Sequence, residues 1–115
     1  MNIVLASNSP RRKLLLDRIK HTYIIIPPNI DESSLSTSIK PKKYCIKLAM
    51  LKGLSIARYN PSSLVIGADT IVEIDKNILN KPKNNIEAKK MLLKLSNKTH
   101  LVHTGVSIIQ KEKNI

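Results

Sequence analysis

Apolar and polar positions fall in blocks along the chain, and the block boundaries predict its elements. The run Ile3–Val4–Leu5–Ala6 predicts a strand over Asn2–Ala6. Pro10 opens a helical period to Lys20, with Leu14, Leu15, Leu16 and Ile19 apolar. Thr22–Ile26 reads as a short strand stopped by Pro27–Pro28. The stretch "NIDESSLSTSIKP" (29–41) has no period and predicts a polar loop. Pro41 starts a long helix to about Tyr59, with Tyr44, Leu48, Leu51 and Leu54 or Ser55 along one face. "LVIGADTIVEI" (64–74) sets two apolar runs around Gly67–Ala68–Asp69–Thr70 and predicts strand, kink, strand. Asp75–Lys76–Asn77 then turns the chain back into Ile78–Leu79. A helix over Asn85–Ser96 offers Ala88, Met91, Leu92 and Leu95 to a core, and Leu101–Ile109 forms the last strand. Strands alternating with helices predict a single α/β domain, a mixed sheet flanked by helices.

Composition narrows the chemistry. The chain has 115 residues, no Phe or Trp, and three tyrosines, so Ile, Leu and Val must build the core. A formal charge of +12 suggests a partner bearing phosphates. The lysines are scattered, however, and no aromatic residues interleave with them as single-strand stacking would require. Nucleic-acid binding is therefore disfavoured, and a basic nucleic-acid module is kept only as a distant alternative. Cys45 is the one cysteine, which excludes a disulfide within the chain and reads as a small buried apolar residue. No apolar run approaches a membrane span and no signal-type core opens the chain, so a cytoplasmic protein without membrane contact is expected.

Three places carry candidate chemistry. In "SNSPRR" (7–12), Ser9 suits a helix N-cap and Pro10 the first helical position. Free amides there attract anions, and Arg11 and Arg12 add planar donor forks suited to phosphate. The same sequence also caps a helix for stability alone. Asp69 interrupts an apolar stretch, where a carboxylate is costly unless compensated. It reads either as a turn residue bonded to nearby amides or as a general base or metal ligand. Asp31, Glu32 and Lys81 lie at element ends, and Lys52 sits within an apolar helical patch. Taken alone, Lys52 reads better as a lysine whose stem snorkels to the surface. Taken together, carboxylates with Arg and Lys donors are what metal-assisted attack on a polyphosphate requires.

The order of motifs resembles one family. "LASNSPRR", "IDES", "KLAMLKG", "VIGADTIV", "LNKPKN" and "LSNKTHLVHTGVSI" are similar, in sequence, to the Maf family of nucleoside triphosphate pyrophosphatases. The resemblance runs from Ile3 to about Ile109 and implies a Maf/inosine-triphosphatase-like fold. It implies cleavage of a nucleoside triphosphate between its α- and β-phosphates, with a divalent cation, Mg²⁺ by preference. By position, Ser7, Ser9, Arg11 and Arg12 resemble the triphosphate-binding loop, and Asp69 the proton acceptor. Glu32, Lys52 and Lys81 resemble polar residues of the same cleft, with Glu32 and Asp69 the candidate cation ligands. Thr70 follows the Asp as in members acting on dTTP and UTP, which favours a pyrimidine nucleotide.

Departures from the family pattern are local, apart from length. Asn80 and Asn97 stand where Gly is usual, and Asn tolerates a left-handed backbone best after Gly. Gly53 replaces Ala at a modest helix cost, and His103 stands where Tyr is frequent. With His21 and His100 it forms no metal spacing, so packing or surface roles are expected. Family chains continue well beyond this length, so the sequence corresponds to the N-terminal part of the fold. An exposed apolar edge at Leu101–Ile109 is then expected, with marginal folding or self-association, a homodimer included. A noncatalytic remnant that binds nucleotide or a partner weakly is the alternative function.

Overall fold

The computed structural model describes residues 2–19, 21–31, 35, 39–79, 84–96 and 99–111, the side chain of Leu95 apart. In chain order the elements are β1 (Ile3–Ala6), α1 (Pro10–Leu16), β2 (Ile24–Ile25), α2 (Pro41–Ala57), β3 (Leu64–Ile74), β4 (Asn77–Leu79), α3 (Asn85–Leu95) and β5 (His100–Ile109). No helix among the described residues is long and apolar enough to cross a membrane.

The stretch read as strand, kink, strand is one continuous strand, because β3 is paired along its whole length. β5 runs antiparallel to it from Val65↔Ile109 to Ile74↔His100. The opposite edge of β3 is shared: β1 pairs parallel over Leu64–Gly67, and β4 antiparallel over Val72–Ile74. Residues 68–71 lie between those two partners, paired only with β5 among the described strands. β2 extends the sheet on the far side of β1, parallel to it. Asp75 and Lys76 close the β3–β4 hairpin with φ of 52° and 66°, the left-handed pair that a two-residue hairpin turn needs.

Helix α2 makes the core on one face of the sheet. Its buried residues are Tyr44, Cys45, Leu48, Ala49, Lys52, Gly53, Ile56 and Ala57. The stripe is rotated from the expected one, and Leu51 is exposed, because the helix approaches the sheet through small residues. A methyl group placed on Gly67 would come within 2.4 Å of the Ala49 carbonyl oxygen and 2.8 Å of the Gly53 nitrogen. One placed on Gly105 would meet the Cys45 carbonyl oxygen at 2.9 Å. A methyl group placed on Gly53 would come within 2.7 Å of Ser107 Oγ and 2.9 Å of Ile109 Cδ1. All three glycines of the chain therefore serve close packing, and the helix cost assigned to Gly53 is repaid in contact. Ser107 Oγ donates to the Ala49 carbonyl at 2.7 Å, and the Cys45 thiol to the Asp69 carbonyl at 3.2 Å. Burial pushes the Cys45 thiol above its ordinary pKa, in keeping with the inert apolar role expected for it.

The other helices pack loosely. α1 has no buried residue and ends at Leu16 rather than continuing to Lys20, with Leu14 and Leu15 more than half exposed. In α3 the described side chains of the anticipated core face are not core: Leu92 is 68% exposed, and Ala88 and Met91 are only half-buried. Asn84 caps α3 by accepting from the Glu87 amide, so the helix rests on local propensity and capping rather than burial. "A sheet flanked by helices" thus holds strongly on the α2 face and weakly elsewhere. The anticipated edge is present: β5 pairs with β3 among the described strands, and Leu101, Val102, Val106 and Ile108 are exposed.

Candidate active site

The parallel strand β1 has β2 on one side and β3 on the other, reached through α1 and α2 respectively. Where connections leave a strand in opposite directions, a crevice opens beyond its carboxyl end. Here that end is Ser7–Asn8–Ser9, and a cavity of about 300 Å³ opens there. Ser7, Asn8, Ser9, Arg12, Pro28, Ile30, Lys52 and Ala68 line it. Of residues 68–71 of β3, between its β1 and β4 partners, Ala68 lines this cavity.

The opening motif folds as a tight turn. Ser7 is buried and its Oγ accepts from the Ser9 amide at 3.0 Å. Ser9 caps α1, its Oγ accepting from the Arg12 amide at 3.5 Å. The helix so capped is only 7 residues long, so anion attraction here rests on side chains more than on a helix dipole. Arg12 lines the cavity and its Nη2 donates to Thr70 Oγ1 at 3.0 Å. Arg11, its neighbour, is exposed and stands outside the lining, so the doubled arginine divides into one inward and one outward residue.

Alternation along β3 sends consecutive residues to opposite faces. Asp69 faces α2 and is 3% exposed; Thr70 faces α1 and is exposed. Lys52 on α2 meets Asp69 directly, Nζ to Oδ1 at 2.6 Å, with side-chain exposures of 10% and 4%. Lys52 is therefore not a snorkelling surface lysine, because a buried carboxylate one helix–sheet contact away draws its ammonium inward. Asp69 is likewise not a turn residue: it sits mid-strand, and its compensation is a cation. A buried pair of this kind is a weak source of net stability but costly to break, roughly 3–5 kcal/mol when one partner is removed. The carboxylate stands behind Lys52 and outside the cavity lining, so the ammonium is the link between Asp69 and the open space.

Ser7, Ser9, Arg12, Lys52, Asp69 and Thr70 thus gather around one crevice. Glu32 and Lys81, like Asn80 and Asn97, lie outside the described residues. Two contacts went unforeseen. Thr104, directly opposite Thr70 in the β3–β5 register, lies 3.1 Å from it, Oγ1 to Oγ1. His103 holds Glu73 at 2.8 Å, Nε2 to Oε1, with both side chains largely buried. The register was readable only once β3 and β5 were known to pair. Among the described residues no group of three or more His, Cys, Asp or Glu is placed to hold a metal.

Residues 2–115 match the profile of the Maf-like proteins. The chain belongs to the Maf-like protein family. Curated Maf relatives named "dTTP/UTP pyrophosphatase" include one from Bacillus cereus (strain AH187), 45% identical over 113 residues, covering 98% of this chain and 59% of the relative. That from Bacillus mycoides (strain KBAB4) is 44% identical over the same length with the same coverage. One from Ruminiclostridium cellulolyticum is 46% identical over 114 residues, 99% of this chain and 59% of the relative. The chain therefore spans about 59% of the length of the Maf proteins it matches.

Proposed function

We propose that this chain carries the phosphate-binding and base-bearing part of a Maf nucleoside triphosphate pyrophosphatase, acting on dTTP and UTP. The observation that carries the reading is the crevice beyond β1, where Arg12, Lys52 and the Ser7–Ser9 turn border one cavity with Asp69 directly behind Lys52. Arg12 and Lys52 are donors of the kind that neutralise phosphate oxygens. Asp69 is the group we assign to accept a proton from water attacking the α–β phosphoanhydride bond, with pyrophosphate leaving as the bond breaks. The buried pairing with Lys52 holds that carboxylate in place until phosphate oxygens compete for the ammonium. The names of the relatives support the substrate class, and Thr70 the pyrimidine preference.

A divalent cation is part of the same proposal, as a companion of the substrate, with Glu32 and Asp69 the candidate ligands. Mg²⁺ is characteristically held by one or two carboxylates together with substrate phosphates. Asp69 offers one such carboxylate, and bound Mg²⁺ would supply charge neutralisation at the phosphates. A homodimer through the exposed β5 edge is part of the same proposal, since an unpaired strand edge invites pairing.

The test is pyrophosphate release from dTTP, UTP and 7-methyl-GTP with Mg²⁺. Turnover of the two pyrimidine nucleotides is expected, and Asp69→Asn should lower it by about 10²–10⁴-fold while leaving nucleotide binding largely intact. Near-normal turnover in Asp69→Asn rules out the base. Nucleotide binding without turnover in the unaltered chain identifies it as a binding remnant instead.

A further inference from the structure

Arg12 belongs to a helix that buries none of its residues, yet it must hold a guanidinium steady at the cavity. Its described anchor is Thr70, which Nη2 reaches at 3.0 Å. Arginine only donates, so Thr70 Oγ1 accepts from it, and the remaining hydrogen-bonding capacity of that hydroxyl engages Thr104 Oγ1 at 3.1 Å. Thr104 is no loosely held partner. It lies directly across from Thr70 in the ladder, and Gly105 beside it is lodged against the Cys45 carbonyl of α2. Both threonines are β-branched and hold few rotamers on a strand.

We infer that Thr104 is a positioning residue: through Thr70 it ties the Arg12 guanidinium to the rigid β3–β5–α2 layer and fixes its orientation toward phosphate. The relay runs from a packed region to an unpacked one. Thr70 and Thr104 stand on the face of the sheet opposite Asp69, so the relay leaves the Lys52–Asp69 pair untouched. Without the Thr104 hydroxyl, Thr70 is free to rotate and Arg12 loses a fixed acceptor. The inference rests on the proposed phosphate-binding role of Arg12.

Inorganic tripolyphosphate is the suitable probe, because it has no base and reads the phosphate contacts alone. Thr104→Val keeps shape and strand propensity while removing the hydroxyl. It should weaken tripolyphosphate binding about three- to tenfold, the worth of one hydrogen bond, with an unchanged melting temperature. Thr104→Ser should restore affinity. In an Arg12→Ala background Thr104→Val should have no further effect, a non-additivity that a merely structural role would not produce. Equal affinity in Thr104→Val and the parent overturns the inference, as does the same loss in the Arg12→Ala background. If the parent binds neither tripolyphosphate nor dTTP, the phosphate-site reading fails and takes the inference with it. If the parent binds tripolyphosphate through the relay but does not prefer dTTP, the substrate assignment fails and the positioning role stands.

Discussion

The two faces of the sheet are built on different principles. On one, α2 lies so close to β3 and β5 that three glycines are needed to admit it, and a buried ion pair sits inside the contact. On the other, α1 buries nothing, an apolar groove of about 250 Å³ opens between Leu15, Ile19, Ile66 and Val106, and Val106 and Ile108 stay exposed. The tight face is held by burial, the open face by polar contacts at the surface. One of these is the pair of hydrogen bonds that Asp17 accepts from the Tyr23 hydroxyl and the Lys13 ammonium. The candidate site straddles the two. Asp69 and Lys52 come from the tight face, and Arg12 from the open one. The Asp69 carboxylate is thus held inside a packed contact, whereas Arg12 is held by a hydrogen bond to Thr70 at the surface.

The largest way to break this contrast is Lys52→Met, which keeps the stem and removes the charge that compensates Asp69. A loss of about 3–5 kcal/mol is expected in urea unfolding, with partial rescue by Asp69→Asn in the same chain. A loss below about 1 kcal/mol would mean the pair is solvated in solution. Next comes Gly67→Ala, where the added methyl meets backbone atoms rather than a flexible side chain. Overpacking of this kind costs about 1–3 kcal/mol, whereas Val106→Thr on the open face should stay within about 0.5 kcal/mol. Equal effects at the two positions would erase the difference between the faces.

Smaller tests sharpen it. Lys76→Gly relieves a left-handed backbone worth about 1–2 kcal/mol and gives back about 0.5–1 kcal/mol in chain entropy. A net gain of about 0.5–1 kcal/mol is expected, read as a raised melting temperature. The smallest effect concerns pH on the open face. The Tyr23 hydrogen bond, with the Lys13 ammonium, holds the Asp17 carboxyl below its ordinary pKa. A depressed folded pKa contributes stability that is present above the ordinary carboxylate range and lost as pH falls through the folded value. Tyr23→Phe should raise the Asp17 pKa in an NMR titration while barely moving global stability. An unchanged Asp17 titration would show that the contact is not formed.

Much of the fold was legible from pattern alone, because β1, α2, β3 and β5 have strong apolar periods with clear stops at Ser7, Pro41, Asn60 and the polar tail. The kink expected over Gly67–Thr70 is absent for a specific reason. Gly and Asp within a strand usually signal a bend, but here Gly67 admits the backbone of α2 and Asp69 answers a lysine 17 residues earlier. The face assigned to α3 was misread because periodicity shows that a helix has an apolar side, not that anything covers it. The motifs singled out Asp69, Arg12 and Lys52 by residue type and spacing.

The sequence by itself determined the elements, the family and the residues that carry candidate chemistry, since these depend on local propensity, capping and the order of short motifs. Only the tertiary structure decided which of them meet. It turned Lys52 inward, sent Asp69 and Thr70 to opposite faces, separated Arg11 from Arg12, and set Thr104 against Thr70. Each of those outcomes depends on strand register and on how closely a helix approaches a sheet. Both are fixed by packing between residues far apart in the chain, which no local pattern records.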